Sequence, residues 1–261
     1  MYANQGLPQS LFKVSIPKIT TISCILPMFA TTFCVTYSII NNFEQSTLTH
    51  CQVYNFLPSI SAAIGDFRPQ VYVWRLCIAL HSGPRFLLAM IYYGFHTTIK
   101  LGRSNEHYMT LAAVSSLSHI TEIVALLGLS YISSSDNFGI HKLFFITFML
   151  CAYVHMVLTM IIFYWGRTQN GRQLTYMESK SFKWKKILFG INLGVFLLAM
   201  YFYNQHMNYC QNNVYSYFAF CEYIVIFSNI GYHGTAILDF KPQSLLVQAP
   251  VKNYSELEEV L

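Results

Sequence analysis

The chain has 261 residues, 54% of them apolar or aromatic and only 10% charged, with a mean hydropathy of +0.39 and a formal net charge of +5. A water-soluble domain of this size carries about 25% charged residues, so the composition excludes an ordinary cytosolic globular enzyme, a disordered chain and a nucleic-acid binder. A bilayer-crossing helix needs about 20 mostly apolar residues, and six such helices would leave room only for short connections. The 19 Tyr and 21 Phe fit a protein with much membrane interface.

Six stretches are long and apolar enough to span. Residues 1–18 form an N-terminal segment, and the first span is expected over 19–40. That stretch is too long for a signal-peptide core and no small-x-small cleavage pattern follows it, so it reads as a retained span. The loop 41–70 is long for a bundle connection. Its apolar string from Phe56 to Gly65 either lies in the leaflet or packs as a lid over the helix ends. The second span is expected over 71–99, the third over 108–132 and the fourth over 142–165, the second and fourth being long enough to tilt. A basic loop, 166–186, leads to a short fifth span over 187–203, which runs into the polar cluster Asn204-Gln205-His206. The sixth covers 214–238, and the tail 241–261 ends in Glu256, Glu258 and Glu259 as a solvated segment. The expected fold class is therefore all-α: a polytopic membrane protein with a bundle of about six transmembrane helices in a domain spanning 19–240.

Orientation follows from the basic residues. Lys13, Lys18, Lys100, Arg103, Arg167, Arg172, Lys180, Lys183, Lys185, Lys186, Lys241 and Lys252 fall on one side, against Arg68 and Lys142 on the other. The positive-inside rule then puts both termini in the cytosol and the loop 41–70 in the lumen. Five of the seven cysteines lie inside spans as small apolar fillers. Cys51 and Cys210 fall in luminal loops, where either a bridge between them or two free thiols is open. The sequence has no zinc-type cysteine spacing, no glycine-rich phosphate loop and no nucleophile elbow, so no bound metal or cofactor is expected. The sequon Asn253-Tyr254-Ser255 lies on the cytosolic side of this topology.

The informative residues are the ionisable ones inside the spans, because each is costly there and most serve a function. The second span carries Arg75, His81 and Arg85, with Trp74, His81 and Arg85 on one helical face. The third carries His119 and Glu122 on the face of Ser115, the fourth His155 with Thr159 one turn on, and the sixth Glu222, Asn229 and His233 at spacings of seven and four. At 1.5 Å per residue, His81, Glu122 and Glu222 fall about 12–15 Å from the luminal side, with Arg85 and His155 near about 21 Å. Five matched groups at two depths exceed what helix packing needs and point to a polar pocket. His with a carboxylate suits a general base for acyl transfer, with Arg steadying a phosphate or carbonyl; the same set can also bind an anionic lipid headgroup without reacting.

The string Leu57-Pro58-Ser59-Ile60-Ser61-Ala62-Ala63-Ile64-Gly65, then Pro69-Gln70-Val71-Tyr72-Val73-Trp74-Arg75 and Leu80-His81-Ser82-Gly83-Pro84-Arg85-Phe86-Leu87, resembles the post-GPI-attachment-to-proteins factor 2 family. So do Tyr131-Ile132-Ser133-Ser134-Ser135-Asp136, Lys180-Ser181-Phe182-Lys183-Trp184-Lys185 and Phe218-Ala219-Phe220-Cys221-Glu222-Tyr223. The resemblance implies a multi-pass protein of the Golgi membrane, with the endoplasmic reticulum membrane as a second location. It implies a part in GPI-anchor lipid remodelling, namely return of a saturated acyl chain to the sn-2 position of lyso-GPI, either as the acyltransferase or as an accessory to a separate one. The implied partners are the lyso-GPI lipid, an acyl donor (acyl-CoA or phospholipid), membrane lipids and other GPI-remodelling proteins. Arg75, His81, Arg85, Glu122, His155, Glu222, Asn229, His233, Cys51 and Cys210 match the family pattern. His119 departs from it, since an amide is more usual there, and so drops out of the expected site; Ile237-Leu238 replaces an aromatic pair. The expected roles are His81, with Glu122 or Glu222, as the catalytic base on the lipid hydroxyl. Arg75, Arg85, His155, Asn229 and His233 are expected to bind substrate, with Arg85 at the acyl carbonyl or the inositol phosphate.

Overall fold

A computed structural model describes residues 10–241 and 243–248. The acidic run at Glu256, Glu258 and Glu259, the sequon at Asn253, Lys252 and residues 1–9 of the N-terminal segment lie outside the described residues. The elements in order are β1 (Ser10–Ser15), α1 (Ile16–Asn41), α2 (Phe43–Thr47), α3 (Ile60–Gly65), α4 (Gln70–Thr97), α5 (Asn105–Tyr131), α6 (Phe138–Thr168), α7 (Tyr176–Tyr209), α8 (Val214–Gly234), α9 (Ala236–Asp239) and β2 (Ser244–Gln248). Six of the helices are long and apolar enough to cross a membrane, so the protein is an all-α polytopic membrane protein, trimmed by one antiparallel ribbon of β1 against β2. That ribbon holds the two described ends of the chain at one end of the bundle, with Lys18, Lys100, Arg103 and Arg172. Here it is called the basic end, and the opposite one the disulfide end.

In lipid every backbone polar group must find its partner within the protein, and polar side chains fold back for the same reason. Thr20 donates to the Ile16 carbonyl at 3.0 Å and Ser82 to the Ile78 carbonyl at 2.8 Å. The helix starts carry caps: the Asn137 side chain accepts from the Ile140 N–H at 3.0 Å, and Thr175 with Glu178 forms a capping box on α7. The turn between α5 and α6 is closed by Asp136, which accepts from the Ser133 N–H at 3.1 Å; hydrogen bonding by the Ser133 side chain and then by this N–H holds its carboxyl below the usual range.

Around the bundle α1 packs on α4, α4 on α5 and α5 on α6, while α1 also meets α8 and α8 packs along α7. Small residues such as Ala30, Cys34, Ala112 and Ala219 sit fully buried in these helices and let backbones approach. A Cβ at Gly128 would lie 2.5 Å from the Phe144 ring, so α5 and α6 pack as closely as they do only with glycine there. The ring closes weakly between α6 and α7, where Phe196 meets Phe145 at 6.5 Å and Tyr153 at 5.7 Å between ring centroids.

Two expectations need correction. The fifth span, read as the shortest, lies in the longest helix, 34 residues. Hydropathy marks only the apolar middle of α7, whereas the helix begins at the capping box and runs on through Asn204, Gln205 and the buried His206. The basic loop 166–186 is mostly helix: α6 reaches Thr168 and α7 starts at Tyr176. Lys185, counted among the basic residues of that loop, is 1% exposed. Its ammonium donates to Asp239 at 2.6 Å, Thr235 at 2.7 Å and Ser181 at 2.8 Å, and Tyr92 donates to the same carboxylate at 2.6 Å. This knot ties α4, α7 and α9 together at the basic end. Beside it Arg167 lies over the Phe163 and Phe95 rings at 3.9 and 4.8 Å.

The loop 41–70 resolves into the lid of its two readings. Ser216 on α8 accepts from the Phe56 and Leu57 N–H groups at 2.7 and 3.2 Å, and the Tyr223 hydroxyl donates to the Pro58 carbonyl. Short helix α3 then packs under the disulfide end with Ala63 fully buried. Cys51 and Cys210 form a disulfide, with Cα atoms 5.3 Å apart, that fastens this loop to the turn between α7 and α8.

The buried pair at the basic end sets a stability test. Lys185→Met leaves the Asp239 carboxylate buried and unpaired, an expected loss of about 3–5 kcal/mol, and adding Asp239→Leu should recover most of it. Thermal unfolding of the purified protein in detergent measures both.

Candidate functional site

Under α3 the bundle surrounds a central cavity with room of about 120 Å³ for the centres of water-sized molecules, part of it open to the outside. Its roof is Ile60, Ser61 and Ile64 of α3; its floor is His81, Arg85, Asn192, Asn229 and His233. The wall between α6 and α7 is apolar, with Phe145, Phe148, Met149, Phe196, Ala199 and Met200. Among the cavity's lining residues Met200 alone is exposed, at 40%, on the flank of α7.

The floor rests on a buried ion pair. Arg85 Nη2 lies 3.0 Å from Glu122 Oε1, with side chains 2% and 0% exposed. Asn229 Nδ2 donates to the same oxygen at 3.3 Å, and Arg85 Nε donates to His119 Nε2 at 3.3 Å. His233 Nε2 stands 2.7 Å from Arg85 Nη2 and 3.1 Å from Glu122 Oε1. It accepts from the first or donates to the second according to its tautomer, so this ring can hold a proton in either of two arrangements.

Depth counting along the helices put Glu122 a layer above Arg85, and the structure closes that gap. Side chains on a helix lean toward its N-terminus. Arg85 and His233 stand on helices that start at the disulfide end, and Glu122 on one that starts at the basic end, so the three lean toward one level. Glu222, also on α8 and about three turns nearer its start than His233, leans toward the disulfide end and so reaches the lid. Its Oε2 accepts from the Ile60 N–H at 3.2 Å and fastens the first turn of α3. The two candidate carboxylates therefore do different work, one in the floor and one in the roof.

His81 pairs with neither. Its Nδ1 lies 2.5 Å from the Ser23 carbonyl oxygen and 3.2 Å from the Ser23 hydroxyl. A carbonyl only accepts, so the proton is on Nδ1 and the lone pair on Nε2. The Ser23 hydroxyl therefore cannot pass its proton to Nδ1, which removes a Ser–His nucleophile pair. His155 stands behind the floor rather than in it. Its Nδ1 donates to the Ser115 carbonyl at 3.1 Å and its ring stacks on His119 at 4.3 Å. Arg75 is not brought to the cavity. It donates to the carbonyls of Tyr131 at 3.1 Å and Ser130 at 3.4 Å, which satisfies the open end of α5.

Two residues belong here that the sequence reading left out. His119, set aside for departing from the family pattern, is 2% exposed and sits between Arg85, His155 and His233; its spacing from Ser115 and Glu122 already put it on that face. Ser23 belongs to a stripe of buried small residues on α1, Thr20, Ser23, Pro27, Thr31, Cys34 and Ser38, whose helical spacing was legible and carried no charge to draw notice.

Ligand atoms of His119, His155 and His233 come within 4.8 Å of one another. Their rings, however, lie stacked, at 18° and 29° between planes for His119 with His233 and with His155. Lone pairs in near-parallel planes run side by side and do not converge at the about 2.0–2.1 Å that zinc requires. Arg85 also occupies the donor side of two of them. In the second such group, His50, Cys51 and His206, the Cys51 sulfur is committed to the disulfide.

The family model described as Frag1/DRAM/Sfk1/Cwh43P N-terminal domain matches residues 18–243. The chain is 41% identical over 241 residues to the Xenopus tropicalis protein named Acyltransferase PGAP2, covering 92% of this chain and 94% of that one. It is 35% identical to Post-GPI attachment to proteins factor 2 of Drosophila melanogaster, with 92% and 91% covered, and 33% identical to the Caenorhabditis elegans protein of that name, with 90% and 89% covered. No solved structure matches the chain.

Removing one partner of the floor's ion pair should unsettle the whole bundle. Arg85→Met leaves Glu122 charged in an apolar interior at an expected loss of about 3–5 kcal/mol, and Arg85→Met with Glu122→Gln should regain most of it. Thermal midpoints of the purified variants in detergent provide the check.

Proposed function

Because the chain belongs to the post-GPI attachment to proteins factor 2 family, we propose that it works in GPI-anchor lipid remodelling as the acyltransferase that returns a saturated chain to the sn-2 hydroxyl of lyso-GPI. The observation that carries this reading is a single one: His81 presents a lone-pair nitrogen in a cavity whose lining runs out to the exposed Met200 on the flank of α7. A lipid substrate can leave its chains in the bilayer and bring only its glycerol and headgroup inside.

The roles follow from the geometry. His81 Nε2 takes the proton of the sn-2 hydroxyl as that oxygen attacks the acyl carbonyl. The Ser23 carbonyl, held at 2.5 Å by Nδ1–H, fixes the tautomer and steadies the imidazolium that forms. Arg85 lines the cavity, and none of its contacts to Glu122, His119 and His233 uses Nη1, which is the donor for the oxyanion or the inositol phosphate. Glu122 and His233 hold that guanidinium in place, and Asn229 braces Glu122. Glu222 acts on the lid through Ile60.

Two features support the orientation this needs. The basic residues gather at the end away from the disulfide, as the positive-inside rule has it for the cytosol, and the Cys51–Cys210 bridge suits an oxidising lumen. The cavity then lies in the luminal half, in a Golgi or endoplasmic reticulum membrane, with segments 1–18 and 241–261 in the cytosol. Other GPI-remodelling proteins would meet the chain there.

His81→Asn keeps a donor for the Ser23 carbonyl and removes the base, so it should lower acyl transfer by about 10²–10⁴-fold. In cells lacking their own reacylation activity, mass spectrometry of a GPI-anchored reporter should find saturated sn-2 chains restored by the wild type and absent with the variant at equal membrane level. Full restoration by His81→Asn would end the base assignment and favour an accessory that binds lyso-GPI for a separate acyltransferase.

A further inference from the structure

The shape of the cavity bears on where the acyl group comes from. A donor has three ways in: from the disulfide end, from the basic end or from the side. The disulfide end is roofed by α3, which Ser216, Glu222 and Tyr223 of α8 hold down through Phe56, Leu57, Pro58 and Ile60. The basic end is closed twice. The first closure is the floor itself, where Arg85, Glu122 and His119 are 2%, 0% and 2% exposed. The second is the knot of Lys185 and Asp239, 1% and 0% exposed, with Ser181, Thr235 and Tyr92 bonded into it. Asn192 on the floor and Lys185 in the knot are seven residues apart on α7, about 10 Å along the helix. Between the two closures there are only small gaps, the larger lying behind Arg85 and His233.

The side is different. The α6–α7 seam is sparsely packed and apolar over Phe145, Phe148, Phe196 and Ala199, and it carries Met200, the one exposed residue of the cavity's lining. Charge points the same way. A coenzyme A headgroup carries several negative charges, while Arg85 is the one cationic side chain among the described residues that line the cavity, and Glu122 already neutralises it. The lysines that would suit such a headgroup stand beyond the knot.

We propose that the acyl donor is a glycerophospholipid of the same leaflet as the acceptor, which enters sideways between α6 and α7, so that the reaction is a transacylation from lipid to lipid. This rests on the acyl-transfer reading and on the orientation given with it. The sn-2 oxygen of lyso-GPI bonds to the donor's ester carbonyl carbon as its proton passes to His81 Nε2. The tetrahedral centre then collapses, the bond from that carbon to the donor's glycerol oxygen breaks, and His81 returns the proton to the leaving oxygen. One ester is exchanged for another, a lysophospholipid leaves by the seam, and neither water, redox partner nor net proton is consumed.

The test uses the purified full-length chain in liposomes that contain lyso-GPI. One set carries phosphatidylcholine labelled in its sn-2 stearoyl chain; a second carries unlabelled lipid and receives labelled stearoyl-CoA on both faces. Label should pass to lyso-GPI from phosphatidylcholine, with one lysophosphatidylcholine formed for each acceptor acylated, and not from stearoyl-CoA. Met200→Trp, which fills the mouth of the seam at an exposed position, should lose that transfer while keeping the wild-type thermal midpoint. Label from stearoyl-CoA alone, or equally from both, overturns the donor assignment and leaves acyl transfer standing. Label from neither, by folded protein, removes acyl transfer itself and the donor assignment with it.

Discussion

Arg85 and Glu122 face each other at 3.0 Å in the middle of an apolar bundle, and a bilayer interior makes either charge costly without the other. Their meeting requires α4 and α5 to keep one register, and His233 and Asn229 bring α8 to the same point. Three helices are thereby pinned at one depth, and the residues above them are free to form a chamber instead of a packed core. Polar groups in such a place are specific about geometry in a way that leucine contacts are not. The polar floor and the open space over it thus have one cause.

What surrounds the chamber follows from how unevenly the ring of helices is fastened. The α1, α4, α5 and α6 contacts are close, helped by small residues and by Gly128 against Phe144. α7 is held to α8 by Asn192, which donates to the Val225 carbonyl at 2.8 Å and to Ser228 at 2.9 Å, and to the basic end by Lys185. Its other flank meets α6 through Phe182 stacked on Phe163 and Tyr164 near the basic end and, beside the cavity, through a few tilted or edge-on aromatic contacts. A rigid half and a loosely seamed half make a vessel whose wall is less firmly fastened than its ends, which is the feature the proposed sideways entry rests on.

Much of this was legible from the residues. Span number and the shared faces of His81 with Arg85 and of Glu222 with Asn229 and His233 came from length and helical spacing, while Arg75 and His155, named with them, do not line the cavity. Three things were not, each for a physical reason. Counting 1.5 Å per residue places α-carbons, while Arg85 and Glu122 meet because their side chains lean in opposite directions on antiparallel helices. Hydropathy measures apolar length, so it cut α7 short and left Lys185 in a basic loop, with no way to foresee Asp239 beside it. Ser23 offered a backbone carbonyl, and a carbonyl has no residue type. His119 shows the converse: its spacing was right, and a comparison with a family pattern displaced it.

The bridge between Cys51 and Cys210 spans 159 residues, from the first connection between long helices to the last. Neither cysteine has its partner until α4, α5, α6 and α7 have all been threaded and the α7–α8 turn has come round beside the lid. A chain inserted in order from its N-terminus therefore carries a waiting thiol through most of its synthesis. The bond that finally closes over the chamber is a seal applied after the last corner is turned, and its oxidised form distinguishes an assembled bundle from a partial one.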